Sequence, residues 1–134
     1  MFALMHDKVE ASDNVVEGTI SILGHSARVL MDSGAPHSFV FKSFIGTLSQ
    51  FLQPVELDMV VVTLGGEELL SSQWFLDIAV KILGRCLPTD LRVLKMHDFD
   101  VIFGMDWLSR HHTHLDCFEH CVVFCLVGEY KFFF

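Results

Sequence analysis

Asp32-Ser33-Gly34-Ala35 follows directly on the apolar run Val29-Leu30-Met31, which puts one carboxylate in a glycine turn at the end of a buried strand. Asp is depleted in strands and costly to bury ionised, so this placement calls for a chemical reason. Ser33 brings a hydroxyl, and the small Gly34 and Ala35 let neighbouring backbone approach the carboxylate. Two carboxylates within hydrogen-bond reach share one proton over a wide pH range. One can then act as general base on a water while the other donates a proton to a carbonyl. Asp-[Ser/Thr]-Gly occurs once in the chain, so one copy brings one carboxylate and chemistry of this kind would need a second copy to bring the other. The plainer alternative is an ordinary turn closed by the Asp side chain on its own backbone.

The elements around this turn read as β. Val16, Gly18, Ile20 and Ile22 alternate with Glu17, Thr19, Ser21 and Leu23, and Gly24-His25 turns the chain into a second strand at 27–31 that delivers Asp32. Pro36 breaks that strand, 38–40 is a short strand, and 41–51 holds a helical turn. A β-branched strand at 56–64 runs into Gly65-Gly66, a hairpin signal, and returns through Trp74 to Val80. After a turn at Gly84 come strands at 91–94 and 100–104, a short helix at 105–110, and strand candidates at 113–117, 121–127 and 129–134. No internal repeat is apparent. Short, closely spaced strands predict an all-β, barrel-like domain with one short helix near the C-terminal end. Residues 1–14 read as a lead-in or linker and 15–134 as the domain.

Composition narrows the function classes. At 134 residues the chain is one domain with room for a hydrophobic core. It is 51% apolar, yet no run approaches the roughly 20 apolar residues of a membrane-spanning helix, so no membrane partner is expected. Thirteen Phe against one Tyr point to buried aromatics and a subunit interface. A formal charge of −8, with nine scattered basic residues, argues against nucleic acid as a partner. Of the four cysteines, three crowd into residues 117–125, and MFALMHDKVE lacks the basic start and cleavage site of a signal peptide. Reduced thiols in an intracellular, cytoplasmic setting are expected.

Four blocks occur in order: 16–20 (Val-Glu-Gly-Thr-Ile), 29–40 (Val-Leu-Met-Asp-Ser-Gly-Ala-Pro-His-Ser-Phe-Val), 98–109 (Asp-Phe-Asp-Val-Ile-Phe-Gly-Met-Asp-Trp-Leu-Ser) and 112–117. Together they resemble the retropepsin-type aspartic protease of gypsy-type long-terminal-repeat retrotransposons of the plant kind. Met105-Asp106-Trp107-Leu108 is the more specific motif, because Asp-Ser-Gly-Ala is shared by all aspartic proteases. The resemblance implies a closed β-barrel of the acid protease fold, a flap hairpin over the site and catalysis by a homodimer on polypeptide, with no cofactor and no metal. It implies Asp32 as the catalytic residue, with Ser33, Gly34 and Ala35 supporting the catalytic loop. Ser33 would bond the opposite copy's loop. Ile102, Phe103 and Gly104 would form the strand that packs beside that loop, and Gly65 and Gly66 the flap tip. Trp107 would anchor the helix on the barrel. In the family the chain termini interleave into a dimer sheet, which would cover the apolar end at 129–134. The chain departs from the family pattern at Pro36, where Ser is more usual, at Phe103, where an aliphatic residue is usual, and at Phe132-Phe133-Phe134.

Two function classes follow. The first is an aspartic endopeptidase that cuts a retroelement polyprotein. The second is a catalytically decayed domain of the same fold that dimerises or binds peptide; Pro36 and the altered C-terminal end motivate it. A zinc site among His111, His112, His114, Cys117, His120, Cys121 and Cys125 is a weaker idea, since the spacing fits no finger pattern. Trp74 and Trp107 read as core anchors.

Overall fold

The computed structural model describes residues 2–5, 15–63, 65–94, 99–116 and 118–134. Of the expected lead-in, residues 2–5 form strand β1 (Phe2–Met5), while residues 6–14 lie outside the described residues. The alternating stretch at 15–31 folds as a hairpin of β2 (Val15–Ile22) and β3 (His25–Asp32) in continuous antiparallel register, Val15↔Asp32 to Ile22↔His25. Leu23 and Gly24 close it with positive φ of 51° and 78°, the two-residue turn whose twist matches its strands. The same tripeptide, Ile-Leu-Gly, recurs at 82–84 with φ of 51° at Leu83 and 80° at Gly84. There it joins β7 (Val80–Ile82) to β8 (Arg85–Cys86), and β7 pairs back onto β2.

The centre of the sheet is a three-strand crossing. Strand β10 (Val101–Phe103) lies parallel to β3, Val101↔Val29 to Phe103↔Met31, and antiparallel to β4 (Phe39–Phe41). Beyond β4 come β9 (Thr89–Leu94), β6 (Glu68–Ile78), β5 (Val55–Thr63) and finally β1, giving the order β1-β5-β6-β9-β4-β10-β3-β2-β7-β8. Among the described residues no ladder joins β1 to β8, so the sheet does not close through hydrogen bonds. A smaller sheet holds β11 (Thr113–Asp116), β12 (Cys121–Phe124) and β13 (Phe132–Phe133).

The central strands are buried on both faces, which is why they read as unbroken apolar runs. Val29, Met31, Val101 and Phe103 face one core with Trp107 and Phe124. Leu30 and Ile102, one step out of phase, face a second with Ala35, Phe39, Met59 and Val61. The second cluster brings the inner face of β5 over the turn that follows Asp32.

Among the described residues two helices form rather than one. Helix α2 (Met105–Arg110) is the expected one, and α1 (Lys42–Ser49) develops from the stretch read only as a helical turn. Its Gly, Ile, Thr and Phe are poor helix formers, and burial of Phe44 and Leu48, one turn apart, supplies what propensity lacks. At the chain end 129–134, β13 pairs with this chain's own β12 through one of its edges. Phe132 stacks on Phe124 at 4.7 Å and lies under the Arg85 guanidinium at 3.8 Å, while Phe134 exchanges two backbone bonds with Val122.

At the end of α2, His111 is buried, its Nε2 donating to the Pro88 carbonyl at 2.8 Å, and its ring meets Trp107 edge-on. Burial lowers its pKa from the ordinary 6.5, the bond to Pro88 opposes, and Arg110 and His112 lower it further. Below about pH 6.5 the unfolded chain therefore takes up a proton that the folded chain refuses, so stability is full above that pH and falls as the medium acidifies. The thermal midpoint is expected to drop between pH 7 and 5, and to drop less in His111→Gln. Parallel pH slopes for the two proteins would refute this.

Candidate active site

Asp32 ends β3 and is fully buried, while Ser33 and Gly34 beside it are exposed. The Gly34 N–H donates to Asp32 Oδ1 at 2.8 Å, and the Ala35 N–H donates to the Asp32 carbonyl at 3.2 Å. The turn is thus folded around its own carboxylate, and the small residues let the backbone come that near.

The parallel pairing of β10 with β3 carries Ile102 and Phe103 alongside Leu30 and Met31, and Gly104 arrives level with Asp32. Helix α2 starts there without a side-chain cap. Its first free N–H groups are satisfied by the loop after Asp32 instead: Met105 donates to the Ala35 carbonyl at 2.7 Å and Asp106 to the Pro36 carbonyl at 3.1 Å. Pro36 has no N–H to give, but this bond uses only its carbonyl. A Cβ on Gly104 would stand 2.3 Å from the His37 carbonyl oxygen and 2.5 Å from that of Ala35. Only glycine fits between loop and helix.

Ser38 and Asp106 lock the far side of the loop. Ser38 Oγ donates to Asp106 Oδ1 at 2.6 Å, the Ser38 N–H donates to Oδ2 at 3.1 Å, and the Gly104 N–H donates to Ser38 Oγ at 3.0 Å. Asp106 Oδ1 also accepts from the Trp107 N–H at 2.7 Å. Arg92 Nη1 and His37 Nδ1 each lie 4.0 Å from Oδ2. The Arg92 guanidinium, 5% exposed, stacks on Trp74 at 3.7 Å. Burial and then the Arg92 cation hold His37 below its ordinary value, with Asp106 opposing, so the ring stays neutral to lower pH than an exposed histidine.

These positions sit within a recognisable sequence. The profile of the family described as "Retroviral aspartyl protease" matches residues 1–129. The chain belongs to that family. No curated protein sequence matches it significantly. Among solved structures, the retroviral protease-like domain of Ddi1 from Leishmania major is similar in fold, with a TM-score of 0.66 at 19% identity over 90% of this chain and 94% of that one. The chain is thus a mostly β, retropepsin-like aspartic protease domain.

In this protease domain Gly65 and Gly66 stand exposed at the tip of the β5–β6 hairpin, Gly66 with φ 84°. Trp107 is buried, its ring 4.2 Å from that of Phe103 and its Nε1–H donating to the Leu87 carbonyl at 3.0 Å. Trp74, also read as a core anchor, joins neither core and serves as the platform for Arg92. Among the described residues no three His, Cys, Asp or Glu side chains gather as a metal-binding group; Cys117 lies outside them. Sequence reasoning gave Ser38, Arg92 and Asp106 no role. A carboxylate inside the apolar block Gly-Met-Asp-Trp-Leu raised the same question as Asp32, and that signal was available.

Proposed function

We propose that this domain is an aspartic endopeptidase active as a homodimer, in which Asp32 of one copy meets Asp32 of another. The observation that carries the reading is a single Asp-Ser-Gly whose carboxylate is buried at a strand end and bonded by its own glycine turn. One Asp, ionised, takes a proton from water as the water oxygen attacks the scissile carbonyl carbon; the other, protonated, donates to the carbonyl oxygen. Collapse of the resulting diol breaks the C–N bond as the amine leaves with a proton. Ser33, Gly34 and Ala35 hold the loop, Ile102, Phe103 and Gly104 brace it, and Gly65-Gly66 is the tip of a flap that must lift for substrate. Residues 15–134 carry these functions, with 1–14 leading into them. The barrel-like closure expected of the fold would come from side-chain packing of β5 over β3, β4 and β10 rather than from a strand pair. The proposed substrate is the polyprotein of a gypsy-type retroelement of the plant kind, on the strength of the four sequence blocks, and the proposed setting is cytoplasmic. Among the described residues no helix is long and apolar enough to cross a membrane.

A mixing experiment tests the two-copy site. Adding a ninefold excess of Asp32→Asn chain to a fixed amount of parent is expected to cut peptide cleavage to about one-tenth, because most parent chains then pair with a dead partner. Unchanged cleavage would refute a shared site. A second reading, a dimerising or peptide-binding module without catalysis, is favoured by the complete burial of Asp32 in the single chain. It predicts a parent that binds peptides and cuts none.

A further inference from the structure

Strand β5 has two edges, and both are taken. One carries β6 through the pairs Val55↔Trp74 to Val62↔Glu68. The other carries β1 in parallel register, Phe2↔Val60, Ala3↔Val61, Leu4↔Val62 and Met5↔Thr63. Strand β1 ends the sheet order, so β5 is its sole ladder partner among the described residues. The pairing stops just short of the Gly65-Gly66 tip. Met59 and Val61 of the same β5 pack in one cluster with Leu30, Phe39, Ile102 and Ala35, the last in the turn that follows the fully buried Asp32. The strand over the catalytic loop is therefore the strand that residues 2–5 fill.

An extended peptide that adds to β5 as a new strand needs the edge β1 holds. We propose that residues 2–5 act as an internal strap: they occupy in cis the β5 edge at Val60–Thr63 that an extended polypeptide takes, so strap and substrate compete. The substrate class rests on the protease reading above; the occupied edge does not. Phe2-Ala3-Leu4-Met5 is apolar throughout. A four-residue parallel ladder at a sheet edge is among the weaker pairings a strand can make, so this strap can be displaced.

The test uses the full chain carrying Asp32→Asn, so that bound peptide survives, and a fluorescein-labelled peptide containing Phe-Ala-Leu-Met read by anisotropy. Ala3→Pro with Leu4→Pro removes two successive N–H groups from β1 and weakens the strap. Leu4→Cys with Val62→Cys joins two directly paired positions, whose Cα atoms on adjacent strands lie within disulfide range. The proline pair is expected to bind peptide about tenfold tighter, the gain that follows where a strap closes an edge about nine-tenths of the time. The oxidised cysteine pair is expected to lose binding and regain it with dithiothreitol, while the background chain ignores the reductant. Peptide binding that is unaffected by the closed disulfide overturns the strap, whatever the proline pair does, and this arm stands even if the proline pair misfolds. Cleavage is measured separately in chains that keep Asp32. Loss of binding on disulfide closure with no cleavage by any chain keeps the strap and removes the protease reading. Normal cleavage with binding indifferent to the disulfide does the reverse.

Discussion

Asp32→Asn is expected to lower peptide cleavage by at least about a thousandfold while leaving the domain folded. General acid–base groups contribute about a hundred- to ten-thousandfold each, and in the proposed homodimer the substitution removes both the base and the acid, one from each copy. An amide can neither take the proton from water nor hand one to the carbonyl oxygen. It does keep an oxygen able to accept from the Gly34 N–H, the 2.8 Å bond that folds the turn. Replacing a fully buried carboxylate by a neutral isostere also removes a desolvation cost, so the thermal midpoint should hold or rise. Cleavage of a quenched fluorescent peptide and a melting curve measure the two effects together. A variant retaining more than a tenth of parental cleavage would exclude Asp32 as the catalytic group.

Gly104→Ala should be the most damaging small substitution in the structure. The added methyl would sit 2.3 Å and 2.5 Å from the carbonyl oxygens of His37 and Ala35. Both are backbone atoms, and the Ala35 oxygen is already committed to the Met105 N–H at 2.7 Å. No rotamer relieves the clash, so loop and helix must part, and the Gly104–Ser38 and Ser38–Asp106 bonds stretch with them. Overpacking at such a site costs about 3 kcal/mol or more. For a domain of this size that is a fall of roughly 10 °C in thermal midpoint. Gly46→Ala is the control: Gly46 is exposed in α1 with nothing within 4 Å of a new Cβ, and Ala there should stabilise by roughly 0.5–1 kcal/mol. Equal midpoints for the two variants would mean that the contact between loop and helix is not tight.

Much of the fold was legible because burial writes a period into each strand. Alternation at 16–22 gave β2, and the unbroken run 29–31 signalled a strand covered on both faces, which β3 is. The helix at 105–110 was legible from its spacing, and α1 was underestimated because packing, not propensity, makes it. The repeated Ile-Leu-Gly turn at 22–24 and 82–84 was in plain view, but three residues are too few to stand out until both are seen to take the same backbone angles. Trp74 illustrates the opposite difficulty. Nothing in its neighbourhood along the chain says that Arg92 will stack on it.

The amino-acid sequence by itself determined the strand pattern, the lone Asp-Ser-Gly and the apolar blocks that make this a retroviral aspartyl protease chain, since each is a local run of residue types. Only the tertiary structure decided how the carboxylate turn is held. Ser38 meets Asp106 across 68 positions, and Gly104 meets Ser38 across 66. The chain closes those contacts through the parallel insertion of β10 beside β3, and hydrophobic periodicity says that a strand is buried without saying which strand lies next to it. The same holds for β1 on β5: four apolar residues announce a strand, and the free edge they find is a property of the whole sheet.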